Sequence, residues 1–110
     1  MTARVAILIS GRGSNMQTLV GAIERGEIPD TEVSLVFSNR HDAPGLAWAE
    51  QHGLPTACMS HRDYRSRAAF DEAVVALLRE ADTDWIALAG FMRILSPGFV
   101  AAFRDRILNI

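Results

Sequence analysis

The order of apolar segments predicts an α/β protein, a doubly wound, mostly parallel, Rossmann-like sheet with helices on both faces. Three observations carry this. Short β-rich apolar runs recur along the chain, and the first is continuous rather than alternating, the mark of a strand buried on both faces. Between the runs stand segments whose apolar residues fall at helical spacing, the stripe of an amphipathic helix. The two kinds alternate strictly, and β–α–β alternation folds into a parallel sheet.

The first strand is expected over residues 4–9, Arg-Val-Ala-Ile-Leu-Ile. A helix follows over residues 15–25, with Met16, Leu19, Val20 and Ile23 as its apolar stripe and Gly26 placed to stop it. Residues 33–37 form the second strand, which runs into the turn-prone Ser38-Asn39-Arg40. Pro44 suits the first turn of a short helix through Leu46, Ala47 and Glu50, closed by Gly53. Residues 55–59 read as a short outer strand, because proline tolerates a sheet edge better than its centre. Ser66 is placed to cap the next helix, whose stripe is Phe70, Val74, Leu77, Leu78 and Ala81. Residues 85–89 form a fourth strand broken by Gly90, and Ser96-Pro97 opens a helix covering residues 99–103. Residues 107–110 begin a fifth strand.

One hundred and ten residues make one domain, or one half of a larger α/β unit, and 49% apolar content is enough for a real core. The formal charge of −2 gives no reason to expect nucleic acid or an anionic membrane as partner. The single cysteine, Cys58, forms no intramolecular disulfide and no multi-cysteine metal site; beside Ala57 and Met59 it reads as a buried, inert thiol. No metal is expected. Residues 5–9 are too short for a signal-peptide core and no longer apolar stretch exists, so a soluble, cytoplasmic protein is expected.

The first turn carries chemistry. Gly11 and Gly13 directly follow a buried strand and directly precede a helix, where glycine permits positive φ and lets backbone approach a ligand. The helix start offers unpaired N–H groups and the positive end of its dipole, and Ser14 and Asn15 add side-chain donors there. Either of those two residues is also a candidate cap. A phosphate is the natural guest; the bland reading is a tight turn whose glycines serve packing alone. A dinucleotide site would want a third glycine where Met16 stands and an acid where Ser38-Asn39-Arg40 stands. Arg40 keeps an NADP-binding alternative open, by meeting a 2′-phosphate. No Gly-Lys-Ser/Thr is present, so the turn is not a triphosphatase loop.

In doubly wound sheets, ligands lie beyond the strands' carboxyl ends where strand order reverses. The first and fourth strands are expected to be neighbours there, so the loops after Ile9 and after Ala89 should face one crevice. The second loop, Gly90-Phe91-Met92-Arg93-Ile94-Leu95-Ser96-Pro97, is strongly apolar for a strand end. It suits a flat heteroaromatic ligand held by exposed backbone groups; the competing reading makes Phe91, Met92, Ile94 and Leu95 plain core.

Four stretches, Ile9-Ser10-Gly11-Arg12-Gly13-Ser14-Asn15, Val36-Phe37-Ser38-Asn39, residues 88–97 and Leu108-Asn109-Ile110, closely resemble the phosphoribosylglycinamide formyltransferases of purine biosynthesis. The resemblance runs from the first strand to the last residue, in order and at matching spacing. Methionyl-tRNA formyltransferases and formyltetrahydrofolate hydrolases share the second loop and the Asn-Ile, but are not expected to combine them with the Gly-Ser-Asn turn.

The resemblance implies the formyltransferase fold and transfer of a formyl group from the cosubstrate 10-formyltetrahydrofolate to the amine of glycinamide ribonucleotide. It places the ribonucleotide phosphate on Gly13, Ser14 and Asn15, and folate on Met92, Arg93, Ile94 and Leu95, largely through backbone groups. It also matches Arg67 to a position contacting the formyl-folate, where the alternative is a solvated arginine in a helix's first turn. Arg62 and Arg65 stand nearby as candidates to attract a folate glutamate tail. Asn109 matches the catalytic asparagine. A fixed amide donor facing the tetrahedral intermediate's oxygen is worth about 3 kcal/mol of barrier.

Formyl transfer also needs general acid–base help. In the family this falls to a histidine just after the asparagine, supported by an aspartate, and neither stands in this sequence, whose last residue is Ile110. His41, His52 and His61 are poor substitutes, expected at the surface or at helix ends, with His41 alone able to approach the crevice. Residues 1–110 therefore read as a single α/β domain, the N-terminal ribonucleotide-binding portion of a formyltransferase, inactive alone. The missing C-terminal portion would be supplied by a separate chain, the alternative being a non-catalytic binding module.

Overall fold

The computed structural model describes residues 2–110. Among them, five parallel strands, β1 (Ala3–Ile9), β2 (Thr31–Ser38), β3 (Thr56–Cys58), β4 (Trp85–Leu88) and β5 (Ile107–Asn109), stand in the order β3-β2-β1-β4-β5. The helices α1 (Ser14–Glu24), α2 (Pro44–Gln51), α3 (Arg67–Glu80) and α4 (Pro97–Ala102) fill the connections. The α/β class is the predicted one, and β1 lies between β2 and β4, so the order reverses at the expected place.

The two-residue period of the strands decides which helices go where. Ala6 and Leu8 of β1, with Leu35, Phe37 and Ile86, share one core with Phe70, Val74 and Leu78 of α3 and with Phe99 and Phe103. Ile7 and Ile9, with Val36 and Ala87, face the other way, onto Met16 and Val20 of α1 and Ala43, Leu46 and Ala49 around α2. A strand covered on both sides has no solvent face, which is why β1 reads as an unbroken apolar run.

Local chemistry sets the helix ends. Ser66 caps α3, its hydroxyl accepting from Ala69 N–H at 3.0 Å, and Ser96 caps α4 by accepting from Phe99 N–H at 3.2 Å. Beyond α1, Gly26 takes a left-handed φ of 75°. β3 is an outer strand, as Pro55 suggested. A single 3₁₀ turn at His61–Asp63, stabilised by Ser60 Oγ accepting from Arg62 N–H, has no counterpart in the sequence expectation. Cys58 is half-buried rather than buried, and its thiol is pushed up by that burial and then by Asp42. No helix among the described residues is long and apolar enough to cross a membrane.

Candidate functional site

β1 ends at Ile9 and α1 begins at Ser14, so Ser10 to Gly13 must reverse the chain's geometry in one turn. Gly13 does this at φ 68° and ψ 40°, and a Cβ there would lie 2.7 Å from Met16 Cε. Gly13 also holds the cap position, and no side chain accepts from the helix start. Ser14 and Asn15, both candidate caps by residue type, therefore cap nothing. The first-turn N–H groups of Ser14, Asn15 and Met16 stay without intrahelical partners, and no acidic side chain in that turn offsets the helix dipole.

Gly11 departs from expectation. It is not in the left-handed region, and a Cβ added there would meet nothing within 4 Å. Neither backbone strain nor a close neighbour requires glycine there; the absent side chain leaves the cleft open in front of it. Gly45, unmarked by any sequence pattern, supplies the rigid backing. Its N–H donates to Gly11 O at 3.0 Å, and a Cβ would come within 2.5 Å of Ile9 Cδ1 and 2.9 Å of Arg12 O. The start of α2 thus abuts the turn through bare backbone.

The loops after β1 and β4 share one cleft of about 170 Å³, lined by residues 11–15 together with Ala89 and Gly90. Gly90, at φ 73°, swings the chain out of β4 beside the turn. Arg12 is exposed and, among the described residues, is the one charged residue lining it. Larger open grooves lie between α3 and α4 (about 650 Å³) and at the strands' amino ends (about 740 Å³). Neither gathers free helix-start donors at strand carboxyl ends, so size does not locate the site.

Residues 91–95 alternate as an extended segment does. Phe91 and Leu95 pack on the core, whereas Met92 and Ile94 are 79% and 75% exposed. Arg93 turns inward, its guanidinium carbon 4.9 Å from the Phe70 ring centre, its Nε buried without a hydrogen-bond partner. The choice between ligand loop and plain core is thereby split residue by residue. Both ends of the segment are tied down. Met92 N–H donates to Ser10 Oγ at 2.8 Å, and Ser96 N–H to the buried carboxylate of Asp71 at 2.7 Å. Among the described residues, the backbone groups of Arg93, Ile94 and Leu95 bond to no other protein group. Nothing in the sequence pattern singled out Ser10 or Asp71 for these roles, although Ser10 lies inside a quoted motif.

Asn109 is exposed and pairs in register with Leu88 on β4, immediately before the cleft residues Ala89 and Gly90. The next residue is fixed from two sides, Ile110 N–H donating to Leu88 O at 3.0 Å and Asn15 Nδ2 to Ile110 O at 3.2 Å. The Asn15 side chain thus touches the residue that follows Asn109. Arg67 is the exposed first residue of α3 and does not line the cleft. Arg62 and Arg65 are exposed. Arg40 is exposed and forms a surface ion pair with Asp42 at 3.2 Å. His41 lines a separate cleft with His61 and Arg62, and His52 stacks on Trp48 at 3.8 Å. None of the three histidines lines the phosphate-turn cleft. No group of three or more His, Cys, Asp or Glu among the described residues is arranged to hold a metal ion.

Comparison with known proteins shows the family and the fold. The profile of the family described as Formyl transferase matches residues 3–110. The trifunctional purine biosynthetic protein adenosine-3 of Bos taurus is 46% identical over 108 residues, covering 98% of this chain and 11% of that protein. The phosphoribosylglycinamide formyltransferase of Haemophilus influenzae is 39% identical over 107 residues, covering 97% of this chain and 50% of that enzyme. Among solved structures, glycinamide ribonucleotide transformylase 1 from Geobacillus kaustophilus superposes with a TM-score of 0.95 at 36% identity. The match covers 99% of this chain and 57% of that one. The chain thus spans about half the length of the single-function relatives and about a tenth of the trifunctional one.

Proposed function

The chain belongs to the formyl transferase family, and on that premise we propose that it carries the substrate-binding part of formyl transfer from 10-formyltetrahydrofolate to glycinamide ribonucleotide, in purine biosynthesis. The observation that carries this is the cleft where the uncapped start of α1 meets the end of β4, with a loop of unpaired backbone groups tied beside it. A phosphomonoester is dianionic near neutral pH and takes hydrogen bonds on several oxygens, which suits the N–H groups and side chains at Gly13, Ser14 and Asn15. A pterin is flat, with alternating donors and acceptors on its edge, which suits the free backbone of Arg93, Ile94 and Leu95 beneath the exposed Met92 and Ile94 side chains. Arg67 would contact the formyl-folate, with Arg62 and Arg65 near it to attract a glutamate tail, whereas Arg93, its side chain turned onto Phe70, would serve through its backbone.

Attack of the amine on the formyl carbon places negative charge on the formyl oxygen. Asn109, at a strand end held by Asn15, would donate its amide N–H to that oxygen. The cleft itself is lined by no carboxylate, imidazole or thiol. Proton removal from the amine and proton delivery to the folate nitrogen would therefore come from a group outside it, on a further segment or a second chain. The substrates are water-soluble metabolites, which fits the expected cytoplasmic setting.

Calorimetric titration with glycinamide ribonucleotide and with its dephosphorylated riboside tests the assignment. The ribonucleotide is expected to bind at least tenfold more tightly, and Ser14→Ala with Asn15→Ala together to erase most of the difference. Equal affinity for the two ligands would refute a phosphate site on this turn.

A further inference from the structure

We propose that Ser10 and Asn39 are positioning residues for the segment at residues 92–95, holding it in the conformation that presents its backbone to the folate. The inference rests on the assignment of that segment to the folate and adds how the conformation is set. Ser10 is 6% exposed and Asn39 8%, so their polar atoms have little water to bond. Ser10 Oγ donates to Asn39 Oδ1 at 2.6 Å and accepts from Met92 N–H at 2.8 Å. A serine hydroxyl has one hydrogen, and a backbone N–H can only donate. Met92 N–H is therefore the donor to Ser10, and with Asn39 Oδ1 facing the hydroxyl, the one hydrogen of Ser10 passes on to Asn39.

This relay joins three strand ends. Ser10 follows β1, Asn39 follows β2, and Met92 lies just beyond β4. With Met92 N–H tied to Ser10, the Met92 side chain stands outward. The extended alternation then sends Ile94 out and Phe91, Arg93 and Leu95 in, with Phe91 settling 6.4 Å from the Phe37 ring. Asp71 holds the far end through Ser96 N–H. Between the two tethers, the backbone groups of residues 93–95 have no protein partner to turn toward. Losing the Ser10 hydroxyl frees the near end alone, because the Asp71 tether is independent of it.

The test uses the full chain with Ser10→Ala, Asn39→Ala and Ser10→Thr, the last retaining the hydroxyl. Amide hydrogen exchange is read at Met92 and Ser96, with affinities for tetrahydrofolate and glycinamide ribonucleotide measured alongside. Ser10→Ala is expected to speed exchange at Met92 at least tenfold and to leave Ser96 within twofold. It should weaken tetrahydrofolate about tenfold while the ribonucleotide changes less than twofold. Asn39→Ala should act in the same direction, and Ser10→Thr should restore both Met92 protection and tetrahydrofolate binding. Unchanged Met92 exchange in Ser10→Ala overturns the proposal. So does a parallel loss at Met92 and Ser96, or of both ligands, which marks general destabilisation. Failure of the unmodified chain to bind tetrahydrofolate would defeat the functional reading instead, while the exchange data would still decide whether Ser10 holds the segment.

Discussion

Gly11 and Gly45 touch through one hydrogen bond, yet a methyl group added to each should have opposite consequences. At Gly45 the new Cβ would lie 2.5 Å from Ile9 Cδ1, 2.9 Å from Arg12 O and 3.0 Å from Gly11 O. Two of these three atoms are backbone and cannot swing aside, so α2 must move off the turn. Overpacking of this kind costs about 1–3 kcal/mol, and the Gly45 N–H bond to Gly11 O is worth about 1 kcal/mol more. Gly45→Ala should therefore lose about 2–4 kcal/mol, read as a lower urea midpoint with unchanged m-value. At Gly11 the Cβ meets nothing within 4 Å and the backbone is outside the left-handed region. Gly11→Ala should hold its stability or gain about 0.4–1 kcal/mol through the unfolded chain. Its methyl stands in the cleft, however, where the phosphate would approach. Displacing one charge-assisted hydrogen bond costs about 1.5–3 kcal/mol, an affinity loss for glycinamide ribonucleotide of about 10- to 150-fold. Paired urea titration and calorimetry decide the matter. A Gly11→Ala chain that loses more than 1 kcal/mol, or that keeps its ribonucleotide affinity, would show that this glycine serves packing and not ligand access.

Three further outcomes follow from the same geometry. Ser66→Ala removes the acceptor for Ala69 N–H at the start of α3 and should lower stability by about 1 kcal/mol in urea titration, with ribonucleotide affinity unchanged. Asp71→Ala leaves Ser96 N–H without its buried acceptor, costs about 2 kcal/mol, and should speed amide exchange at Ser96 while Met92 stays protected. Burial and then Asp42 raise the Cys58 thiol, so iodoacetamide at pH 8 should modify the folded chain more slowly than the urea-unfolded one. Because the folded group holds its proton longer, its contribution to stability is intact below the ordinary thiol range near about 8.5 and declines as pH rises beyond it.

Those features of the fold that are local in sequence were legible in it. An unbroken apolar run in β1 told of burial on both faces, Ser66 and Ser96-Pro97 marked helix starts, and Pro55 put its strand at the edge. Composition did not foretell the 3₁₀ turn at His61–Asp63, although Ser60, the side chain that stabilises it, stands directly before it. At the site, the glycines and the Ser-Asn pair pointed to an anion because helix starts have a fixed chemistry. Gly11 and Gly13 look alike in the sequence, but one answers to backbone geometry and the other to open space, which only the surrounding atoms distinguish.

The undetected residues share a cause. Gly45, Ser10, Asn39 and Asp71 matter because of groups far along the chain, 82 positions away for the Met92 tether and 29 for the Asn39 bond. No periodicity carries information over such separations. The same limit explains the mixed character of residues 91–95, where apolar composition left ligand surface and core equally open. One buried hydroxyl just beyond β1 takes Met92 N–H, and from there Met92 and Ile94 face outward while Phe91 and Leu95 pack on the core. On the proposed reading, an apolar loop at a strand end serves as a binding surface because one amide is claimed from below and the amides after it are left unclaimed.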